Sequence, residues 1–527
     1  MPSELRRWSV VLTASLALCA CSSPARFERE SDAIVEEILG GRAERLNANR
    51  RAEILMPEPA RDATEPSSAG PAAAEPRELR RLTLRNALEC AVHGNRQYTG
   101  EREGLYQQAL SLYSTRHGFG PLLTAMLNSV FSGGEQLDSS STSLGVGVSQ
   151  RLPWGGSLSA SASAAATQEH AVQLEGTTAG ASIALRQPLL RGFGHEAAME
   201  SLVQAERGLL YSIREFELFR ENFSIDVARR FYGLVQQRRG LENQRRNLED
   251  VIFFRRQAEA MFALGDTTEL EVLRARRSEL TSQNDLISAE EDLRRALDSF
   301  RIFLGLPDTV SVDVEDEAPR FAELPYDADS AVEVALHNRL DVLTRRQRLE
   351  DSERSLRIAA NSAMPDIGLS ASYGVDGSAD PDVDGRRVDV PDWSIGFDVG
   401  LPIDRTSERE SLRRAQIAHG QALRSHEEFL QNLAVDIRSA FRELERRTQS
   451  LDIQRQLIFD QERNVKIAQL RFEQGDFSNR DVVEAQQALL EARNALIREQ
   501  VDYEIARLGL IRDLGLLFID EHGMWDE

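Results

Sequence analysis

The residues that most often carry out chemistry are few in this sequence, and their spacing matches no common active site. The 527 residues include three Cys and eight His, and none of them are spaced like the ligands of a zinc site. Neither a Gly-x-Ser-x-Gly nucleophile elbow nor a Gly-rich phosphate-binding loop is present. Asp and Glu are abundant, at 85 residues, but nothing singles out a catalytic pair. The sequence therefore predicts no catalytic residues, no cofactor and no metal site, and hence no enzyme.

One cysteine, Cys21, lies in a segment that is typical of lipid attachment. A basic start and an apolar run of about 13 residues, too short to cross a bilayer, predict a signal peptide over 1–20. The run ends in Leu18-Cys19-Ala20-Cys21, which resembles the cleavage site of bacterial lipoproteins, with Cys21 as the lipidated residue. Ser22 after it favours sorting to the outer membrane. An ordinary cleaved signal peptide with incidental cysteines is the alternative.

The composition excludes two broad classes of protein. A net charge of −22 repels phosphate backbones, so a nucleic-acid partner is not expected. Away from the N-terminus, no stretch holds the roughly 18–20 consecutive apolar residues of a membrane-spanning helix. The segment over 21–81 is rich in Pro, Ala, Ser and Glu and cannot bury a core. It predicts a lipidated N-terminus and flexible tether, which can include a short helix over 27–47.

The rest of the chain is an internal duplication. Adding 210 to residues 223–305 aligns them with 433–515 without a gap. Further upstream, an offset of 244 aligns residues 87–93 with 331–337. The alignments predict two structural repeats, 82–310 and 311–527, each built from a helix, strands and a long helical hairpin, with the C-terminus in the second.

Each repeat is predicted to contain one very long helix followed by another helix. Neither Pro nor a Gly pair interrupts 196–264 or 407–474, and apolar residues recur there every seven positions. At about 1.5 Å per residue, each of these helices is on the order of 100 Å long, which is unlike a globular enzyme. Gly265 and Gly475 come at their ends, so each glycine is predicted to mark the tip of a helical hairpin.

Short segments between the helices alternate strictly between apolar residues and small or polar ones. The alternation runs over 144–149, 366–375 and 393–401. Strands of about ten residues with one apolar side are typical of outer-membrane barrels. A half-buried sheet of a soluble protein is the alternative. Residues 119–190 can hold four such strands, at about 121–131, 142–153, 157–168 and 178–190.

Taken together, the chain resembles the TolC family of outer-membrane efflux proteins over residues 82–518. No single motif is specific to this family, but the order in which the motifs occur, repeated in both halves of the chain, is specific to it. The motifs are Leu82-Thr83-Leu84, the strand starts at Pro121 and Pro365, the strand end at Gln187-Pro188-Leu189-Leu190, and the hairpin tips at 262–266 and 472–476.

The resemblance implies a mainly α-helical homotrimer with membrane β-structure. Three chains would close a β-barrel in the outer membrane and a long α-helical barrel in the periplasm, with a mixed equatorial region at 306–330 and the C-terminus. The implied function is passive conduction, as the exit duct of a tripartite efflux pump or a type I secretion system. The implied partners are outer-membrane lipid, a periplasmic adaptor protein and an inner-membrane transporter.

The resemblance also implies a gate at the periplasmic end. The positions of the family's acidic rings match Asp481 and Glu484 in the second repeat, with Glu271 opposite in the first. The alternative is that these three are solvated residues of acidic helices. The family's basic latch residue matches Phe477, which puts the latch in doubt, although Arg480 nearby is a substitute. The adaptor-contacting tip residues match Gly265, Asp266, Gly475 and Asp476, whose other role is to turn the chain.

Two questions stay open at the level of sequence. The family has two strands per repeat, so the four strands of the first repeat either widen the barrel or form a hairpin that packs elsewhere. A structural coiled-coil lipoprotein that tethers envelope layers is an alternative function. It accounts for the lipid anchor and the heptads but not for the strands or the duplication.

Overall fold

The chain forms two compact units in the computed structural model. The first consists of 1–41, 105–213 and 344–427, and the second of 42–104, 214–343 and 428–527. The structure describes residues 24–46, 78–133, 138–169, 174–317, 327–379, 386–388, 391–474 and 476–525.

Helices and strands alternate along the chain in two similar series. The helices are α1 (Pro24–Leu46), α2 (Leu84–Gly94), α3 (Arg96–His117), α4 (His195–Leu264), α5 (Glu269–Phe303), α6 (Ala328–Asn338), α7 (Leu340–Ser362), α8 (Thr406–Glu473) and α9 (Asn479–Asp513). The strands are β1 (Glu78–Leu82), β2 (Leu122–Gly133), β3 (Asp138–Arg151), β4 (Ser157–Glu169), β5 (Leu174–Pro188), β6 (Val310–Val314), β7 (Asp366–Ala379), β8 (Arg386–Val388) and β9 (Asp392–Gly400).

The two longest helices match the sequence-based prediction closely. α4 has 70 residues and α8 has 68, so each is on the order of 100 Å long. They form because no Pro interrupts them and apolar residues recur along one side. Within the described part of the chain, no helix is both long and apolar enough to cross a membrane.

The duplication holds in the structure as well as in the sequence. α2 and α6 have 11 residues each, and α5 and α9 have 35 each, at the predicted offsets. The C-terminal end of each helical hairpin, at the end of α5 or α9, also contacts the end of the short helix α2 or α6 in the same way in both repeats. Asn95 Nδ2 donates to the Phe303 carbonyl at 2.6 Å, and Arg339 Nη1 donates to the Asp513 carbonyl at 3.2 Å. Each repeat is therefore one structural unit used twice.

The second unit also contains a small mixed region. β1 and β6 pair in parallel, and the C-terminal segment closes on itself where Ile519 bridges Trp525. Ser224 Oγ of α4 donates to the Gly523 carbonyl at 2.9 Å, and Arg220 Nη2 donates to that of Asp520 at 2.8 Å. β6 and the C-terminus thus belong to a small mixed region, while residues 318–326 lie outside the described part.

The first unit is organised around one antiparallel sheet. Its strands pair in the order β2-β3-β4-β5-β7, and β8 and β9 both pair with the remaining edge of β7. β9 covers residues 366–374 of β7, and β8 covers 377–379. The four strands predicted over 119–190 are all present, and both of their hairpins belong to this one sheet.

The sheet has one apolar face, and its other face consists mainly of small or polar residues except in β2, which places Leu122, Met126 and Val130 there. A row straight across the strands joins Leu123, Val148, Ala160, Ile183, Tyr373 and Trp393, which are all apolar. The adjacent row joins Thr124, Gly147, Ser161, Ser182, Gly374 and Asp392. The period of two in the sequence therefore predicts the two faces correctly.

The segment 21–81, predicted as a tether that can include a short helix over 27–47, contains α1 and most of β1. α1 belongs to the first unit, where Tyr106 donates a hydrogen bond to Asp32 at 2.6 Å and Val35 and Leu39 are buried. β1 pairs with β6. Two apolar residues four positions apart give α1 a face to bury. Cys21 and residues 47–77 lie outside the described residues.

Candidate functional site at the helical hairpin tips

The first tip, between α4 and α5, ends its helix in a conformation that suits glycine. Gly265 has a φ of +86°. Its amide donates to the Phe262 carbonyl at 3.0 Å, and the amide of Asp266 donates to that of Met261 at 2.9 Å. This pair of bonds is a Schellman motif, which satisfies two carbonyls at the helix end. Gly265 therefore turns the chain, and both tip residues are exposed.

The second tip, between α8 and α9, uses the same kind of bond. The Asp476 amide donates to the Arg471 carbonyl at 2.9 Å, and the Asp476 side chain is exposed. Gly475 lies outside the described residues. At both tips, therefore, an exposed aspartate lies within three residues of the end of the long helix.

Asp481 has a structural role at the start of α9. Ser478 donates to its Oδ2 from the amide at 2.9 Å and from the hydroxyl at 2.7 Å. Serine at the N-cap and an acid at N3 form a capping box. The bonds from Ser478 lower the pKa of Asp481, because they favour the charged form. The side chain is exposed, so its negative charge faces solvent at neutral pH.

Glu484, one turn further along α9, has the longest ion-pair or hydrogen-bond distance of the three predicted gate acids. Its side chain is 74% exposed, and Arg480 is its ion-pair partner at 4.0 Å. Exposed pairs at this distance contribute little, because water and salt screen them. Arg480 therefore pairs within its own helix.

Glu271 occupies the position in α5 that Asp481 has in α9, since the two lie 210 residues apart. Its side chain is only 15% exposed and is paired with Arg274 at 2.6 Å. The structure therefore brings Asp481 and Glu484 together at the start of one helix and gives Glu271 a cationic partner on another.

Phe477, which stands where the family has a basic latch residue, belongs to an apolar cluster. It packs against a core of five buried residues, and the Arg471 guanidinium lies 5.1 Å from its ring centroid. The core residues are Phe254, Ala468, Phe472, Val482 and Ala485. Apolar packing and a cation–π contact thus stabilise this tip.

An arginine-lined cavity beside the acids was not predicted from the sequence. It has a volume of about 430 Å³ and lies between α4, α5 and α9, with Arg274, Arg277 and Arg480 in its wall together with Asp285. Three arginines close to the acidic positions reduce the local negative charge. The Arg274–Arg277 segment contains three arginines in four residues, and this signal was available in the sequence.

Comparison with known proteins decides the family. Residues 331–516 match the family model described as outer membrane efflux protein. The outer membrane efflux protein BepC of Brucella suis is 26% identical over 366 residues, which cover 66% of this chain and 74% of BepC. The part that matches the family model, a little over a third of the chain, belongs to the outer membrane efflux protein family. The match and the relatives give the location as the outer membrane and the function as that of an efflux protein there.

Further comparisons agree with this family. The solvent efflux pump outer membrane protein SrpC of Pseudomonas putida is 25% identical over 261 residues, covering 48% of this chain and only 53% of SrpC. The channel VceC of Vibrio cholerae has a TM-score of 0.62 at 17% identity, covering 82% of this chain and 96% of VceC. CusC has a TM-score of 0.61 at 14% identity, covering 88% and 99%. The TolC-like fold is confirmed.

Proposed function

We propose that three copies of this chain form the exit duct of a tripartite efflux pump or a type I secretion system. The sheet would close a barrel in the outer membrane, and the helical hairpins would extend into the periplasm. Conduction is passive, since a periplasmic adaptor and an inner-membrane transporter supply substrate and energy. The chain itself performs no catalysis.

The two-faced sheet is the observation that carries this proposal. An apolar face suits lipid, and a face of small and polar residues suits a water-filled lumen. A single chain leaves both sheet edges open, which is prohibitive in lipid, so several copies must share the barrel. A coiled-coil envelope tether does not require such a sheet, and no element in the described part of the chain favours that alternative. Lipid on Cys21 would add a second attachment to the membrane.

We propose that Asp481 and Glu484 narrow the periplasmic end. Three copies of each would place like charges close together, where they repel, bind cations or take up protons. The exposure of both carboxylates and the lowered pKa of Asp481 support this role. Glu271 contributes less to the ring, because Arg274 offsets its charge.

We propose that the tips bind the adaptor through Gly265, Asp266, Gly475 and Asp476. A photo-crosslinking residue at Asp266 in the native host tests this contact. We expect an adduct that contains a periplasmic adaptor, and we expect the charge-reversing substitution Asp476→Arg to weaken it at least tenfold. The same probe at Asp460, an exposed residue of α8 well away from the tip, is the matched control. Adducts only with other copies of this chain, or none, would refute the tip contact.

A further inference from the structure

The sheet of each chain is six strands wide. β2, β3, β4, β5 and β7 occupy five positions, and β8 and β9 together occupy the sixth, because they pair with different parts of the same edge of β7. The family resemblance implies four strands per chain, two from each repeat. The hairpins β2–β3 and β4–β5 both belong to one continuous sheet, since β3 pairs with β4 over thirteen residues.

The two outer edges of this sheet run in opposite directions. Every neighbouring pair in the sheet is antiparallel, so five reversals separate β2 from β9. β9 of one chain can therefore meet β2 of a second copy as an antiparallel neighbour, like every other pair. No described strand pairs with the outer side of β2, or with the outer side of β9.

The two edge strands also match in the faces they present. Leu123, Leu127 and Phe131 of β2 lie on the apolar face and are 74%, 51% and 80% exposed. Trp393 and Phe397 of β9 lie on the same face, at 70% and 64% exposure. Pairing β9 with β2 of a second copy therefore continues the apolar belt without a break. Polar groups at both open edges would gain hydrogen-bond partners, which lipid does not provide.

We propose that β2 of each copy pairs with β9 of the next, so that three copies close an eighteen-stranded barrel. This inference rests on the trimer of the proposed function. Barrel diameter grows roughly linearly with strand number, so eighteen strands give a barrel about 1.5 times as wide as twelve. Barrels of about 16–18 strands leave an aqueous channel.

The face opposite the apolar belt suits a wide lumen. β3 presents Ser143, Gly145 and Gly147 there, and β4 presents Ser159, Ser161 and Ser163. Small residues predominate on this side of β3 and β4, so these two strands add width with little bulk, whereas β2 places Met126 and Val130 there. The membrane end is thus an open passage for bulky cargo, and selection must occur elsewhere.

Disulfide cross-linking between copies tests the strand pairing. In a Cys90→Ser background, Asn128→Cys on β2 is combined in turn with a cysteine at each polar-face position of β9, which covers shifts of register. These positions are Asp392, Ser394, Gly396, Asp398 and Gly400. We expect at least one combination to give covalent trimers on oxidation, since a disulfide needs Cα atoms within about 7 Å. Ser161→Cys replaces Asn128→Cys in the control, because β4 is already paired on both sides.

The outcomes separate this inference from the proposed function. A trimer in which Ser161→Cys, and not Asn128→Cys, cross-links to β9 would place the β2–β3 hairpin outside the barrel and overturn the inference alone. A folded protein that is not trimeric would overturn both. A strand count in an electron cryomicroscopy map of the wild-type trimer gives a second readout that needs no variant. Eighteen strands support the inference, and twelve refute it.

Discussion

At the scale of single residues, the acids near the tips have two roles that must be separated. Asp481 caps a helix through Ser478, whereas Glu484 has one distant partner. A change in conductance on replacing Asp481 can therefore come from lost charge or from a loosened tip. Ser478 provides the means to separate them, because its replacement removes the cap and keeps the charge.

We expect the double variant Asp481→Ala/Glu484→Ala to change single-channel conductance or divalent-cation block. The reason is that two rings of carboxylates would disappear from the proposed constriction. Measurement in planar bilayers over a range of salt and Mg²⁺ concentrations checks this result.

Ser478→Ala is the matched control for this experiment. It should lower the stability of the tip by about 1 kcal/mol and leave the cation block unchanged. The gate role fails if the double variant conducts like the wild type under all conditions, or if Ser478→Ala reproduces its effect.

The sequence predicted these acids through family resemblance but not their surroundings. Ser478 followed by Asp481 is a capping-box spacing and was readable in advance. The pairing of Glu271 with Arg274 was also readable, since the residues are three apart on a helix. The apolar burial of Phe477 was not, because it depends on Phe254 of a distant segment of α4.

At the scale of elements, the duplicated joint between hairpin end and short helix depends on two glycines. Gly305 has a φ of +72° and Gly515 a φ of +69°. A Cβ on Gly305 would overlap the Gly94 carbonyl, whereas one on Gly515 would lie 3.0 Å from the Arg339 amide nitrogen. The first joint is thus the tighter of the two.

We expect Gly305→Ala to destabilise the protein by about 3 kcal/mol and Gly515→Ala by about 1–2 kcal/mol. Both add strain at positive φ, and the first also forces the backbones apart. Thermal unfolding in detergent measures the difference. Gly509→Ala within α9 is the control, since its Cβ meets nothing within 4 Å and a helix favours alanine. Equal effects at all three positions would contradict this account of the joint.

The long helices were predictable, whereas the short strand β1 was not. α4 and α8 could be bounded to within a residue or two, because apolar periodicity that runs uninterrupted over some 70 residues is typical only of a long helix. The short helix expected over 27–47 corresponds to α1. β1 could not be found, because its five residues pair only with the distant β6.

At the scale of the whole molecule, the strands were predictable but their partners were not. Alternation locates each strand and its two faces, yet pairing of β5 with β7 joins segments about 180 residues apart, across α4 to α7. Whether the additional hairpin joined the sheet was therefore undecided in the sequence. The answer matters, because a continuous sheet leaves two edges that only further copies of the chain can cover in lipid.

The central claim is that several copies of this chain form one channel. The most direct measurement is the mass of the detergent-extracted protein together with its single-channel conductance in a planar bilayer. Our account predicts a trimer that gives discrete, cation-preferring steps. A well-folded monomer or dimer that gives no conductance would contradict it.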